Sequence, residues 1–281
     1  MAQNLSNQYI LIRKDILVRE AVISGEVVNV TPLRVGIGRD NVDVLSTANQ
    51  GLLRVRMGED RVPVIPGSSW KGVFRSTGER LMRGKGVNVC TGLTKQTCVD
   101  RIEDKLEELL KDGNYDEAVK LVWSDTCINC KVFGAPHLRA SVSFFDSYPK
   151  TPTSYEIGKR PMIAINRETG SVSGGALVTM DYVEPDSVFT FRINMINPTN
   201  YVIGYILSIM KEIDQGFTQV GGNKSRGFGV VKFQNLKLEM KEYVPYDLPD
   251  MDPKDEKVEV TFPIDPLKDN KFLEVFKHVK P

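Results

Sequence analysis

The chain has 281 residues, 41% of them apolar, so it can bury one large core or two small ones. Its 37 basic and 36 acidic side chains leave a formal net charge of +1, which excludes a protein that coats nucleic acid with its whole surface but allows a local basic groove. No run of about eighteen uncharged apolar residues occurs, and the first residues lack the pattern of a secretory signal. We therefore expect a cytoplasmic protein that does not contact a membrane.

The first quarter of the chain predicts a strand, a loop and a helix. Residues 16–35 show β-branched side chains in rough alternation, which indicates one half-buried strand or two short ones. Residues 36–62 keep no lasting period and predict a long loop with at most a small hairpin. Residues 66–69, PGSS, provide turn and N-cap residues, and apolar side chains then recur at helical spacing, which predicts a helix over 69–83.

A helical insertion over about 84–138 is predicted next. Two segments, 101–113 and 115–123, have helical periodicity. Pairs of cysteines lie on either side of these segments, so we expect the cysteines to hold both ends of the insertion together. The pairs are Cys90 with Cys98 and Cys127 with Cys130.

The second half of the chain is rich in strand patterns. Strands are predicted within 139–147, within the two halves of 160–183, and over 188–196. A mainly apolar helix follows at 200–214, and residues 228–243 alternate as a long strand. The order strand, helix, strands, helix, strand is that of a βαββαβ ferredoxin-like unit, so the fold class is α+β.

A C-terminal extension is expected over 243–281, after one domain over 1–242. The extension carries five prolines up to Pro266 and many charged residues, followed by a helical pattern at 272–279. We expect it to pack as an irregular segment.

The cysteines are the strongest metal signal in the chain. Cys127 and Cys130 form a C-x2-C pair whose thiolates can reach one ion, and Cys90 and Cys98 could complete a tetrahedral Zn²⁺ site. His137 could replace one cysteine, and four unrelated thiols are the alternative. A closed site of four ligands has no open position, so such a zinc would act in folding.

The segment 221–229, GGNKSRGFG, invites a phosphate-binding interpretation. It is not a P-loop, because Gly222 stands where the lysine belongs and a helix precedes the loop. Its backbone could nevertheless approach a phosphate, with Lys224 and Arg226 adding charge. The alternative is a flexible turn between helix and strand.

Candidates for hydrolytic chemistry are few. The two histidines, His137 and His278, are far apart in sequence and in no nucleophile motif, which argues against a histidine-driven triad. Asp40 and Asp43 lie in the long loop, where a carboxylate could orient an attacking hydroxyl; solvated surface aspartates are the alternative.

Three separated motifs together resemble one known family. The segments 64–76 (VIPGSSWKGVFRS), 127–147 (CINCKVFGAPHLRASVSFFDS) and 221–233 (GGNKSRGFGVVKF) resemble the RAMP superfamily, specifically the backbone subunits of type III CRISPR effector complexes. The resemblance spans most of residues 18–240. It implies a modified ferredoxin-like or RRM-like palm with a β-hairpin thumb at about 158–184, to which the cysteine pairs would add a zinc-stapled helical insertion.

The resemblance also implies partners and RNA-binding residues. The partners would be CRISPR RNA, target RNA, other RAMP subunits and the large subunit of the complex. Phosphates would lie at the helix that follows PGSS, and the thumb would insert between nucleotides through Met162 and Ile163, which could equally be ordinary strand core. The residues expected at the RNA are Ser68, Ser69, Lys71, Arg75, Arg160, Met162, Gly221, Gly222, Lys224, Ser225 and Arg226.

One departure from the family pattern bears on catalysis. Members that cleave target RNA carry an aspartate in the loop before the PGSS helix, where this chain has Asn49. The chain could therefore bind RNA without cutting it. Alternatively, Asp40 or Asp43 could act with Mg²⁺ or Mn²⁺ in an endoribonuclease. Processing of precursor CRISPR RNA is a third hypothesis, which the lack of a histidine near the first strand and helix disfavours.

Overall fold

The computed structural model describes residues 9–36, 51–93, 95–174, 177–245, 252 and 254–279. The strands are β1 (Arg19–Asn29), β2 (Arg54–Met57), β3 (Asp60–Pro63), β4 (Val142–Phe144), β5 (Ile157–Met162), β6 (Val178–Val183), β7 (Val188–Ile196) and β8 (Val231–Glu242). The α-helices are α1 (Gly67–Gly84), α2 (Glu103–Lys111), α3 (Tyr115–Asp125), α4 (Ile128–Phe133), α5 (Asn200–Asp214) and α6 (Lys271–His278). Within these ranges, no helix is both long and apolar enough to cross a bilayer.

A four-stranded antiparallel sheet organises the molecule. Its strand order is β4-β7-β1-β8. Helix α1 connects β1 to β4, and α5 connects β7 to β8, so the palm has the βαββαβ order of a ferredoxin-like unit. The predicted α+β class and the antiparallel palm are confirmed.

The core lies between the sheet and helices α1 and α5. Apolar residues alternate along β7, so Phe191 points into the core, where its ring centroid lies 5.2 Å from that of Trp70. Trp70 is fully buried on α1, and its indole N–H donates to Ser147 Oγ at 2.9 Å. This bond satisfies the one polar atom of the indole, as burial requires. Trp70 therefore connects the first turn of α1 to the segment that follows β4.

The main departure from the predicted elements follows β4. The pattern over 139–147 predicts a longer strand than the observed β4. The strand is shorter because the last residues of this segment bond to the start of α1 and the residues just before it instead of to β7. Asp146 accepts the amide of Gly67 at the start of α1, and Ser147 pairs with Ile65. The short helix α4 has no counterpart among the predicted elements, since six residues are too few to show a period.

The C-terminal extension is fastened to the start of α5. Asp255 accepts the amides of Asn200 at 2.7 Å and Tyr201 at 3.0 Å, which caps the helix. Its carboxylate is 0% exposed and lies 3.9 Å from Arg19, which is 2% exposed. Removing one partner of a buried ion pair leaves an uncompensated charge.

We therefore expect Asp255→Ala to lower the free energy of unfolding by about 3 kcal/mol. Urea denaturation of both proteins measures this difference. The control is Glu259→Ala in the same extension, because Glu259 pairs with Lys257 on the surface and should contribute little. Equal midpoints for the wild type and Asp255→Ala would show that the extension does not stabilise the palm through this cap.

Candidate nucleic-acid interface and cysteine cluster

The glycine loop, residues 221–229, is anchored to the chain that follows β1. The amide of Gly222 donates to the Arg34 carbonyl at 2.7 Å. Gly221 has a φ of +84°, and a Cβ at this position would overlap the same carbonyl. Glycine adopts this conformation without the steric cost that a Cβ adds. The two glycines therefore serve close backbone packing, and the Gly222 amide already has an acceptor.

The exposed part of the glycine loop is cationic. A single 3-10 turn, Lys224–Arg226, carries both cations and the exposed Ser225. Partial burial, and secondarily the positive charge of Arg80 on α1, lowers the pKa of Lys224. Arg80 is positioned by Thr218, whose hydroxyl accepts from Arg80 Nη2 at 2.8 Å. We name Arg80, Lys224 and Arg226 the cationic patch; an anion bound there would reduce the repulsion between α1 and the loop.

The start of α1 already holds a carboxylate. Asp146 Oδ1 accepts the Gly67 amide at 2.8 Å, so this side chain occupies a position where the helix dipole favours an anion. Ser68 is exposed and Ser69 is half-buried beside it. Lys71 is also exposed, although partial desolvation lowers its pKa. Ser68 and Lys71 are therefore the groups on this turn that face solvent.

The β5–β6 hairpin packs on the glycine loop through one face of its two strands. Met162, Met180, Tyr182 and Phe228 form one cluster, in which the rings of Tyr182 and Phe228 meet edge to face at 5.8 Å. The guanidinium of Arg160 lies 5.1 Å and 5.0 Å from these two ring centroids, within cation–π range. Met162, a candidate for either a wedge or ordinary strand core, is half-buried at the outer end of β5, opposite Val178. The hairpin is thereby coupled to the loop that carries the cationic patch.

The outer part of the hairpin exposes large apolar side chains. The exposed fractions are 52% for Ile163, 60% for Ile165, 56% for Val172 and 59% for Leu177. Ile165 and Val172 form a bridge across the hairpin. We name these four residues the hairpin tip. Such a grouping of exposed apolar residues is typical of an interaction site.

The hairpin contains a buried carboxylate. Asp181 on β6 is 0% exposed, and its Oδ2 lies 3.5 Å from Arg54 Nη2. Asp181 also acts electrostatically on Arg34, whose pKa is lowered by burial. Sequence reasoning missed this group; its signal is a single charge inside the apolar strand 178–183.

Phe217 is a second residue that sequence reasoning missed. It lies between α5 and the glycine loop and is 72% exposed. The next residue is Thr218, which positions Arg80 of the cationic patch. An aromatic residue outside any periodic apolar pattern is the signal that could have identified it. Exposed aromatic rings together with cations are the combination with which proteins bind single-stranded nucleic acid.

The four cysteines come together. Their Sγ atoms all lie within 4.8 Å of one another, and Cys90 Sγ is 3.2 Å from that of Cys130 and 3.8 Å from that of Cys127. Metal–sulfur bonds of about 2.3 Å in a tetrahedron give sulfur–sulfur distances of about 3.8 Å. The fourth member, Cys98, is buried. The cluster therefore fits a four-coordinate metal ion, and we name it the cysteine cluster.

Hydrogen bonding among the thiols gives them different pKa values. The Cys130 thiol donates to Cys127, which lowers the pKa of Cys127 to about 4 and raises that of Cys130. Burial raises the pKa of Cys98. A divalent cation would favour all four thiolates, since thiolates are the ligating form.

His137 is not part of the cysteine cluster. Its Nε2 lies 2.8 Å from Glu103 Oε1, and its side chain is 54% exposed. Among the residues described, the group that could hold a metal ion consists of the four cysteines. The alternative in which His137 replaces a cysteine is therefore not what the geometry favours.

Two arginines turn toward the cysteine cluster. Arg75 Nη2 lies 3.7 Å from Cys130 Sγ, and Arg101 Nη2 lies 3.6 Å from Cys98 Sγ. Arg75 was expected beside phosphates, but its guanidinium points into the protein. Asp40 and Asp43, the candidates for catalysis, lie outside the described ranges, as does Asn49, which stands where cleaving members carry an aspartate. Cleavage, and the Mg²⁺ or Mn²⁺ that it would use, stay predictions.

A ferredoxin-like palm with a basic loop, an adjacent exposed aromatic ring and an apolar hairpin defines a class of protein suited to binding single-stranded nucleic acid. The family model described as "RAMP superfamily" matches residues 26–232. The chain belongs to the RAMP superfamily, which makes it a CRISPR-associated RNA-binding protein whose expected partners are CRISPR RNA and other Cas subunits. No curated protein matches it.

Proposed function

We propose that the chain is a backbone subunit of a type III CRISPR effector complex that binds the guide RNA through its phosphates and leaves sequence recognition to base pairing. The main support is the cationic patch: α1 and the glycine loop, which are distant in sequence, bring Arg80 and Lys224 close enough for their charges to interact. Ser68 and Lys71 are exposed near the start of the same helix and would offer RNA a separate contact. In the assembled complex, other RAMP subunits and the large subunit would lie beside the chain.

We propose that the hairpin tip separates adjacent nucleotides in the guide–target duplex. Its four apolar side chains are more than half exposed, so insertion between bases would bury surface that water now contacts. The packing of Tyr182 on Phe228 would fix the tip relative to the phosphates on the glycine loop. Ile163 thus remains a wedge candidate, whereas Met162 packs against Met180, Tyr182 and Phe228.

We propose that the cysteine cluster holds a structural Zn²⁺. The four thiolates would fill all four positions, so the ion would stabilise the insertion and would take no part in chemistry. Helix α4 carries Cys130 and is buried along its whole length.

The proposed function is tested by measuring the affinity for a 30-nucleotide oligouridylate and for a mixed-sequence RNA of equal length. We expect similar affinities for both RNAs and a steep, linear decrease of log affinity with log salt. The double variant Lys224→Gln/Arg226→Gln should reduce the slope by about 1.4, since each phosphate contact on a single strand contributes about 0.7. Glu117 and Lys120 lie on the surface of α3, and Lys120→Gln is the matched control with an unchanged slope. Sequence-dependent binding that ignores salt would contradict the proposal.

Phe217→Ala is expected to weaken binding of single-stranded RNA about tenfold, because one stacked base contributes about 1–3 kcal/mol. The salt slope should stay unchanged, since no charge is removed. Fluorescence anisotropy with labelled oligouridylate measures both quantities. Phe217→Tyr should keep the affinity and Phe217→Leu should lose it; equal affinity of the leucine variant and the wild type would exclude stacking.

A further inference from the structure

Arg75 lies at the centre of the contact between α1 and the cysteine cluster. Its side chain is 16% exposed. Nη1 donates to the Gly134 carbonyl at 2.8 Å, just after α4, and Nη2 lies 3.7 Å from Cys130 Sγ. Nε lies 3.5 Å from Glu79 Oε1, one turn further along α1. The guanidinium is thus bound on one side by its own helix and on the other by the segment that contains Cys130.

The segment that contains Cys90 contacts the same guanidinium. Gly92 has a φ of +70°, and a Cβ added to it would overlap the guanidinium carbon of Arg75. The backbone after Cys90 therefore passes directly against Arg75. One side chain of α1 contacts both segments that bring cysteines to the cluster.

The charges of the cluster explain why an arginine is suited to this position. Four thiolates around a divalent ion carry a net charge of about −2, which is costly away from water. Arg75 and Arg101 place two positive charges at Cys130 and Cys98. Arginine keeps its charge when buried, and its planar fork can bond a carbonyl and a sulfur at once. Groups that hydrogen-bond to metal ligands commonly change metal affinity 10- to 100-fold.

We propose that Arg75 is a positioning residue that couples metal binding at the cysteine cluster to RNA binding on α1. The inference rests on the proposed function. With the metal bound, Arg75 holds α1 against the insertion, and the solvent-facing Lys71 and Arg80 of the same helix keep their positions. Coupling between two binding sites is reciprocal. RNA must therefore tighten metal binding by the same factor by which the metal tightens RNA binding.

The experiment compares three variants of the full chain: Arg75→Met, Arg75→Lys and Lys71→Met. Zn²⁺ affinity is measured by competition with a chromogenic chelator, with and without oligouridylate, and RNA affinity is measured over a salt series. The Co²⁺-loaded proteins are compared by their thiolate-to-cobalt absorption. Lys71→Met is the matched control, because Lys71 lies one turn before Arg75 and is exposed.

We expect Arg75→Met to weaken Zn²⁺ binding 10- to 100-fold, to alter the cobalt spectrum and to leave the salt slope of RNA binding unchanged. In this variant the coupling factor should fall toward one. Lys71→Met should reduce the salt slope by about 0.7 and leave Zn²⁺ affinity as in the wild type. Arg75→Lys, which keeps the charge without the fork, should lie between the wild type and Arg75→Met, and it carries the test if the methionine variant does not fold.

A reduced salt slope in Arg75→Met with wild-type Zn²⁺ affinity would overturn the inference, because Arg75 would then be a phosphate ligand. That result would leave the proposed function intact. Failure of the wild type to bind RNA in either metal state would instead overturn the proposed function and the coupling with it. An unchanged coupling factor in both Arg75 variants would also overturn the inference.

Discussion

Cys130→Ser is expected to release the metal ion and unfold the insertion locally. A serine hydroxyl is a poor ligand for Zn²⁺, and the cluster would keep three of its four thiolates. Structural zinc sites contribute on the order of 10 kcal/mol to folding in small domains. Helices α2 and α3 have few buried residues of their own: Leu106 in the first, Ala118 and Val122 in the second. The cluster is therefore what we expect to hold them in place.

Two measurements check this expectation. Elemental analysis should find one zinc per chain in the wild type and far less in Cys130→Ser. Hydrogen exchange should then show faster exchange throughout α2–α4, while the amides of β1 stay protected, since they belong to the central sheet. The control is His137→Ala, which should keep its zinc because His137 lies outside the cluster. Full zinc occupancy in Cys130→Ser, or none in the wild type, would contradict the assignment.

Gly221→Ala is expected to lower both stability and RNA affinity. A side chain at φ of +84° is strained, and its Cβ would overlap the Arg34 carbonyl, so the loop must move away from the chain after β1. Strain and displacement together should lower the free energy of unfolding by about 3 kcal/mol. Lys224 and Arg226 would move with the loop, so RNA affinity should fall on the order of tenfold.

Gly227→Ala provides the control for the Gly221 prediction. Gly227 has a φ of +82° in the same loop, but within the described part of the chain no atom outside its neighbours lies within 4 Å of the added Cβ. In this variant the free energy of unfolding should fall only by the cost of placing a Cβ in the left-handed conformation, about 1 kcal/mol. Urea denaturation measures the stability of the two variants, and fluorescence anisotropy measures their RNA affinity. The difference between the variants gives the effect of the overlap with the Arg34 carbonyl, apart from backbone strain. Equal losses in both would show that the contact with Arg34 does not matter.

The palm could be predicted because its signals are local. Alternation along β7 and β8 and the apolar stripe of α1 are properties of neighbouring residues, and together they indicate the βαββαβ order. The cysteine cluster was predicted for a related reason. The C-x2-C spacing places two thiolates on one turn, and the other two cysteines of the chain are then the natural remaining ligands. The sequence could not show that the cluster consists of cysteines alone. The structure shows it, because His137 contacts Glu103 and not the cluster.

The functional groups that escaped prediction depend on contacts between distant residues. Helical spacing places Arg75 off the apolar stripe of α1, but only the positions of Gly92 and Gly134 turn it away from solvent. Likewise, no local pattern shows that Asp146 caps α1 after β4 has ended. Phe217 is conspicuous only once the exposure of its ring is known.

The central position of β1 has a consequence for how the protein is made. Along its length β1 pairs with β7 and β8, and Arg19 lies opposite Glu242. During synthesis, β1 therefore leaves the ribosome long before either neighbour and stays unpaired while the insertion and the hairpin, whose contacts are local, can form. Such non-local pairing is slow and leaves strand edges open to aggregation. A nascent chain interrupted before β8 would keep one edge of β1 unpaired. We therefore expect folding of this protein to benefit from chaperones that shield exposed strands.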